Sequence, residues 1–74
     1  MADQKTILEY AIKGIDAEIA EIETSIRKGK KLVEEGQRSV YDIQPIINLK
    51  KSAIEKLLKL KGELSWQVAM IEDK

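Results

Sequence analysis

The stretch Ile12-Lys13-Gly14-Ile15-Asp16-Ala17-Glu18-Ile19-Ala20-Glu21-Ile22-Glu23-Thr24-Ser25-Ile26 decides how this chain is read. Its five isoleucines recur at alternating steps of three and four. That spacing sets them in one line along an α-helix, as the a and d positions of a coiled-coil heptad. Leu8 precedes them in phase, and Gly29, Val33 and Gly36 follow in phase. The opposite face carries Lys13, Asp16, Glu18, Glu21, Glu23, Arg27 and Lys28. Glu23 and Arg27 stand four apart with the acid first, the favourable order for a helical ion pair. Asp3 is the expected N-cap, with Thr6 as an alternative start. A first helix, A, is therefore expected over about 3–35. Gly29 inside it costs about 1 kcal/mol relative to alanine. Because the heptad phase is unbroken there, the helix is expected to continue, with a close neighbour or a long side chain opposite the glycine.

A turn is expected over about 36–42. Gly36 suits the left-handed residue that ends a helix, and Gln37-Arg38-Ser39 is polar. Asp42 is the expected cap of a second helix, B, which places Pro45 at its third position, where no intrahelical donor is lost. A competing arrangement exists. Val33, Gly36, Val40, Ile43 and Ile47 keep one heptad phase across the turn. A single kinked helix, paired with a second chain in a domain-swapped dimer, satisfies the same pattern. Gly36 together with Pro45 favours the hairpin.

Helix B is expected over about 43–73, with a seam of Ile47, Lys50, Ile54, Leu57, Lys61, Leu64, Val68 and Ile71. Lys50 and Lys61 interrupt it. Either they set register and oligomeric state, or their stems pack while the ammonium groups reach water. Two antiparallel registers fit. One pairs residues whose numbers sum to about 76, the other to about 80, which brings Gly29 near Lys50. Helix B also bears Ile46, Ala53 and Leu60 on one side of the seam and Leu58 on the other. One hairpin partner covers only a narrow face, so these four are the expected oligomer interface. At 74 residues a lone hairpin buries too little to offset its ordering entropy. The expected fold is thus all-α: one domain, 1–74, an antiparallel hairpin of two long coiled-coil-like helices that dimerises into a four-helix bundle.

Composition narrows function further. The chain has no Phe, Cys or His and balances 13 basic against 13 acidic residues. Without Cys there is no disulfide scaffold or thiolate metal site, and without His the commonest general base and zinc ligand are missing. No nucleophile has a His partner, and no Gly-rich phosphate loop follows a strand. The expectation is no enzyme, no cofactor and no metal. No apolar run reaches the ~18 residues of a membrane span, and Met1–Lys5 lacks the pattern of a signal peptide. A cytoplasmic protein without a membrane partner is expected.

What remains lies off the seam. Tyr10 and Trp66 occupy outward positions, each with a glycine four residues away, Gly14 and Gly62, over which the ring of Trp66 could lean. Ile7 and Met70 flank them, and a hairpin carries all four at the end of the chain termini. Exposed Trp, Tyr and Met are interface residues, so Ile7, Tyr10, Trp66 and Met70 are the candidate contacts for an unidentified protein partner. The same residues could instead be buried between copies. Arg27, Lys28, Lys30, Lys31 and Lys51 are candidate phosphate contacts if the protein binds nucleic acid, although adjacent Glu34 and Glu35 and the zero net charge favour a solvated face. The leading expectation is a non-enzymatic protein-interaction module, a small helical adaptor or inhibitor of bacterial or phage type. The alternatives are a nucleic-acid-binding hairpin regulator and an oligomer that sequesters a small nucleotide between Tyr10 and a lysine.

Overall fold

The computed structural model describes residues 3–72 and shows two helices, α1 (Gln4–Glu34) and α2 (Val40–Glu72). They pack against each other as a hairpin, and the described residues contain no strand. The molecule is a plank of 55 × 19 × 14 Å. Asp73, where helix B was expected to end, lies outside the described residues.

Each end of α1 forms for a local reason. The Asp3 carboxylate accepts the Thr6 amide at 2.8 Å, so Asp3 and not Thr6 is the cap. That amide, donating to it, holds the Asp3 carboxyl below the usual carboxylate range. At the other end Gly36 has φ +74°, and the Gly36 and Gln37 amides donate to the carbonyls of Val33 and Leu32 at 3.0 and 2.9 Å. This is the crossed pair of bonds of a Schellman motif, which requires a left-handed residue at Gly36.

The second helix starts three residues earlier than expected. Ser39 caps it in place of Asp42: the Ser39 hydroxyl accepts the Tyr41 amide at 3.2 Å, and the Ser39 carbonyl accepts the Asp42 and Ile43 amides. Ser39-Val40-Tyr41-Asp42 is the Ser-x-x-acid pattern of a helix start, and that signal was in the sequence. Pro45 consequently lies inside α2. Its missing N–H leaves the Tyr41 carbonyl without a helical donor. The cost is limited because Tyr41 is 87% exposed, so that carbonyl lies at a solvent-facing first turn.

The isoleucine seam becomes the interface between the helices. Leu8, Ile15, Ile26 and Ile47 are buried, and Ile12, Ile19, Ile22, Val33, Ile43, Ile54, Leu57, Leu64, Val68 and Ile71 are half-buried. Lys61 reaches Asp16 at 2.7 Å, Lys5 reaches Glu72 at 2.8 Å, and Lys50 donates to the Ser25 hydroxyl. These pairs sum to 77, 77 and 75, and Gly29 meets Ile43, a sum of 72, so the helices are slid away from the register near 80, to 76 or below. Both seam lysines keep their stems half-buried and carry their charge to a polar group at the edge of α1. The expected Glu23–Arg27 pair does not form. Arg27 donates instead to the Thr24 hydroxyl at 3.1 Å, which itself donates to the Ala20 carbonyl.

Gly29 sits mid-helix without a break, and a neighbour does approach it: a Cβ there would lie 3.3 Å from Ile43 Cγ2. Alanine at 29 gains about 1 kcal/mol of helix propensity and gives part of it back by displacing Ile43 a few tenths of an ångström. Gly29→Ala is expected to melt within a few degrees of the parent. Gly29→Leu drives three further carbons into the same gap and is expected to lose about 2 kcal/mol, or ~10 °C by circular dichroism.

Candidate functional site

The two edges of the plank differ. At 100° per residue, positions beside the seam separate into two flanks shared by both helices. One flank carries Glu9, Asp16, Glu23 and Lys30 from α1, and Gln44, Lys51, Leu58 and Ser65 from α2. It is polar except for Leu58. The other mixes the polar Glu18, Glu21, Ser25, Lys28, Lys56, Glu63 and Gln67 with apolar or small residues, Ile7, Ala11, Gly14 and Leu32 from α1 and Ile46, Leu49, Ala53, Leu60 and Met70 from α2. Of its large apolar residues, Ile7, Ile46, Leu49, Leu60 and Met70 are exposed. Leu49 is 73% exposed, more than any other aliphatic residue among these, and sequence reasoning missed it. Its relation to Ile46 and Ala53, at steps of three and four, was the available signal.

The expected oligomer interface therefore splits. Ile46, Ala53 and Leu60 share the apolar flank with Leu49, whereas Leu58 stands on the polar one, half-exposed on the side of the Lys61–Asp16 pair. The surplus surface is measurable. The chain exposes 5853 Å² at 8.4 kDa. A compact monomer of that mass exposes about 4,600 Å², which leaves about 1,200 Å² in excess.

Ile7, Tyr10, Trp66 and Met70 all lie at the termini end and all are exposed. They do not form one patch. Ile7 and Met70 share the apolar flank, while Tyr10 and Trp66 sit on the outer backs of α1 and α2, about 180° from the seam on each helix. Trp66 is 65% exposed and does not rest on Gly62, which has open space where a Cβ would project. Gly14 is equally uncovered. Tyr10, 69% exposed, instead has the Lys13 ammonium 5.7 Å from its ring centroid. Nearby, the Glu72 carboxylate, accepting a hydrogen bond from Lys5, raises the Lys5 pKa above its ordinary value.

The basic residues do not line one face. By helical position Arg27, Lys28, Lys30 and Lys31 fan around the whole outer half of α1, with Lys51 on the polar flank of α2. Acids stand among them: Lys31 approaches Glu35 at 3.9 Å. Lys30 borders an open groove of about 210 Å³ at the loop end, floored by Val33, Val40, Ile43 and Ile47 and rimmed by Glu34 and Gln44. Among the described residues, no group of three or more acidic side chains is placed to hold a metal ion. No helix there is long and apolar enough to cross a membrane.

No protein-family model, curated protein or solved structure matches this chain.

Proposed function

We propose that the protein is a non-enzymatic protein–protein interaction module, a small helical adaptor or inhibitor that pairs with a second copy as a coiled-coil-like four-helix bundle and presents outer helical faces to a larger partner. One observation carries this reading. The chain has three aromatic residues, Tyr10, Tyr41 and Trp66, and every one is on the surface of the hairpin while the core is wholly aliphatic. Aromatic side chains bury 150–250 Å² each and dominate core energetics where they are used (roughly, per ring). A marginal core that leaves all of them outside forgoes its largest single source of burial. Exposed Trp and Tyr are also the commonest anchors of protein interfaces.

Two surfaces are available for two tasks. The apolar flank suits self-association, and the outer positions of Tyr10 and Trp66 remain open beside it. Nucleic-acid binding has less support, because basic groups scattered round a helix and interleaved with glutamates give no continuous phosphate track. A duplex titration at low salt that showed saturable, steeply salt-dependent binding would favour that alternative over the protein-interaction reading.

Trp66→Ala tests the leading one. With wild-type and variant protein immobilised side by side, capture of the partner from lysate, and then its titration, should weaken at least tenfold for the variant, a typical hot-spot loss. Helicity and melting midpoint should stay the same, since an exposed side chain contributes within about 0.5 kcal/mol. If Trp66→Ala instead lowers the sedimenting mass or melts the hairpin, Trp66 belongs to the self-contact and the assignment is wrong.

A further inference from the structure

The apolar flank of α2 holds a pattern that a single chain does not use. Four residues at seven-residue spacing, Leu49, Lys56, Glu63 and Met70, run in one row along the exposed edge of this flank. Beside them runs a second row, Ile46, Ala53, Leu60 and Gln67. Together the rows step by three and four, as a second seam on the same helix. Lys56 and Glu63 are exposed, and neither makes an ion pair among the described residues.

The first row is self-complementary when reversed. Hydrophobe, base, acid, hydrophobe becomes hydrophobe, acid, base, hydrophobe. The midpoint of Lys56 and Glu63 coincides with that of Leu49 and Met70, just before Leu60. We propose that α2 docks antiparallel on α2 of a second copy of this chain, about a two-fold axis crossing the helix beside Leu60. Lys56 then pairs with Glu63 of the partner subunit, and Glu63 with Lys56 of the partner subunit. Leu49 meets Met70 of the partner subunit, and the two Leu60 side chains meet near the axis. A parallel arrangement sets Lys56 against its own copy and Glu63 against its own, which repels at both positions.

Area and neighbouring charge support the same occupant. A specific interface buries about 800 Å² per partner, which fits within the surplus of about 1,200 Å² that this chain exposes. The α1 part of the flank has Ile7 and Leu32 only at its two ends, with the small or polar Ala11, Gly14, Glu18, Glu21, Ser25 and Lys28 between them, so the contact centres on α2. A two-fold dimer is the ordinary product of a self-complementary surface. This inference rests on the self-association part of the proposed function and is independent of the partner contacts at Tyr10 and Trp66.

Charge reversal tests it. The wild type should sediment at twice 8.4 kDa. Lys56→Glu alone and Glu63→Lys alone each place like charges together twice, and each should raise the dimer dissociation constant at least tenfold with helicity retained. The double variant should dimerise again. An equimolar mixture of the two single variants should form a heterodimer, because one chain then bears only acids and the other only bases at these positions. A monomeric wild type, or single variants that dimerise as it does, would overturn the proposal, and so would rescue of Lys56→Glu by Glu21→Lys but not by Glu63→Lys, which marks an α1–α2 contact between copies. Partner capture by Trp66→Ala is read separately, so failure here leaves that test intact.

Discussion

Replacing Ile47 by alanine should lower the melting midpoint by about 8–16 °C. Ile47 is the most deeply buried residue of the core, at 4% exposure. Removing three carbons from such a site costs about 2–5 kcal/mol. The low end applies here, because Ile47 also lines the loop-end groove and the gap can relax into it. Even about 2 kcal/mol is a large fraction of what holds a chain of this size, whose total stability is on the order of 5 kcal/mol. Tyr41→Ala is the control, six residues away on the same helix and almost fully exposed, and it should leave the midpoint unchanged. The measurement is thermal denaturation followed at 222 nm. Equal losses for the two variants would mean that the interhelix seam is not where stability resides.

Gly36→Ala should have the second large effect, and on topology as well as stability. A side chain at φ +74° costs about 1–2 kcal/mol. The same change makes Glu35-Ala-Gln-Arg-Ser39 a good helical segment, and the seam already runs in phase from Val33 through residue 36 and Val40 to Ile43. A continuous helix exchanging its second half with another chain keeps the same core contacts without the left-handed residue. The hairpin sets Lys5 beside Glu72 at 2.8 Å, whereas one unbroken helix parts them by about 100 Å. Since the chain has no cysteine, dyes can be placed on cysteines introduced at positions 5 and 72. With a trace of doubly labelled chain in excess unlabelled protein, intrachain energy transfer should stay high for the parent and fall for Gly36→Ala as concentration rises. High transfer in both would show that the loop, and not Gly36 alone, fixes the hairpin.

How much could be read in advance follows from which features are local. The helical faces, the Asp3 cap, the Gly36 stop and the continuity through Gly29 are set by residues within one or two turns of each other, and all were legible. The start of α2 was equally local, yet Asp42 with Pro45 outweighed Ser39 with Asp42, although a proline six residues into a helix is tolerated where its freed carbonyl faces water. Leu49 is masked in the pattern because the first seam accounts for its neighbours. Tyr10 and Trp66 share a level along the hairpin, as their numbering implies, but not a face.

The sequence by itself determined that this protein is helical along one isoleucine-rich seam, with a preferred stop at Gly36, because heptad spacing and end signals act through short-range sterics and hydrogen bonds. Only the tertiary structure decided against the register near 80 and showed the tethering of Lys50 and Lys61 to the edge of α1. Those depend on how far one helix slides along the other. Here that is fixed by the Schellman turn at Gly36 and the Ser39 cap acting together across the loop, and no periodicity within a single helix encodes it.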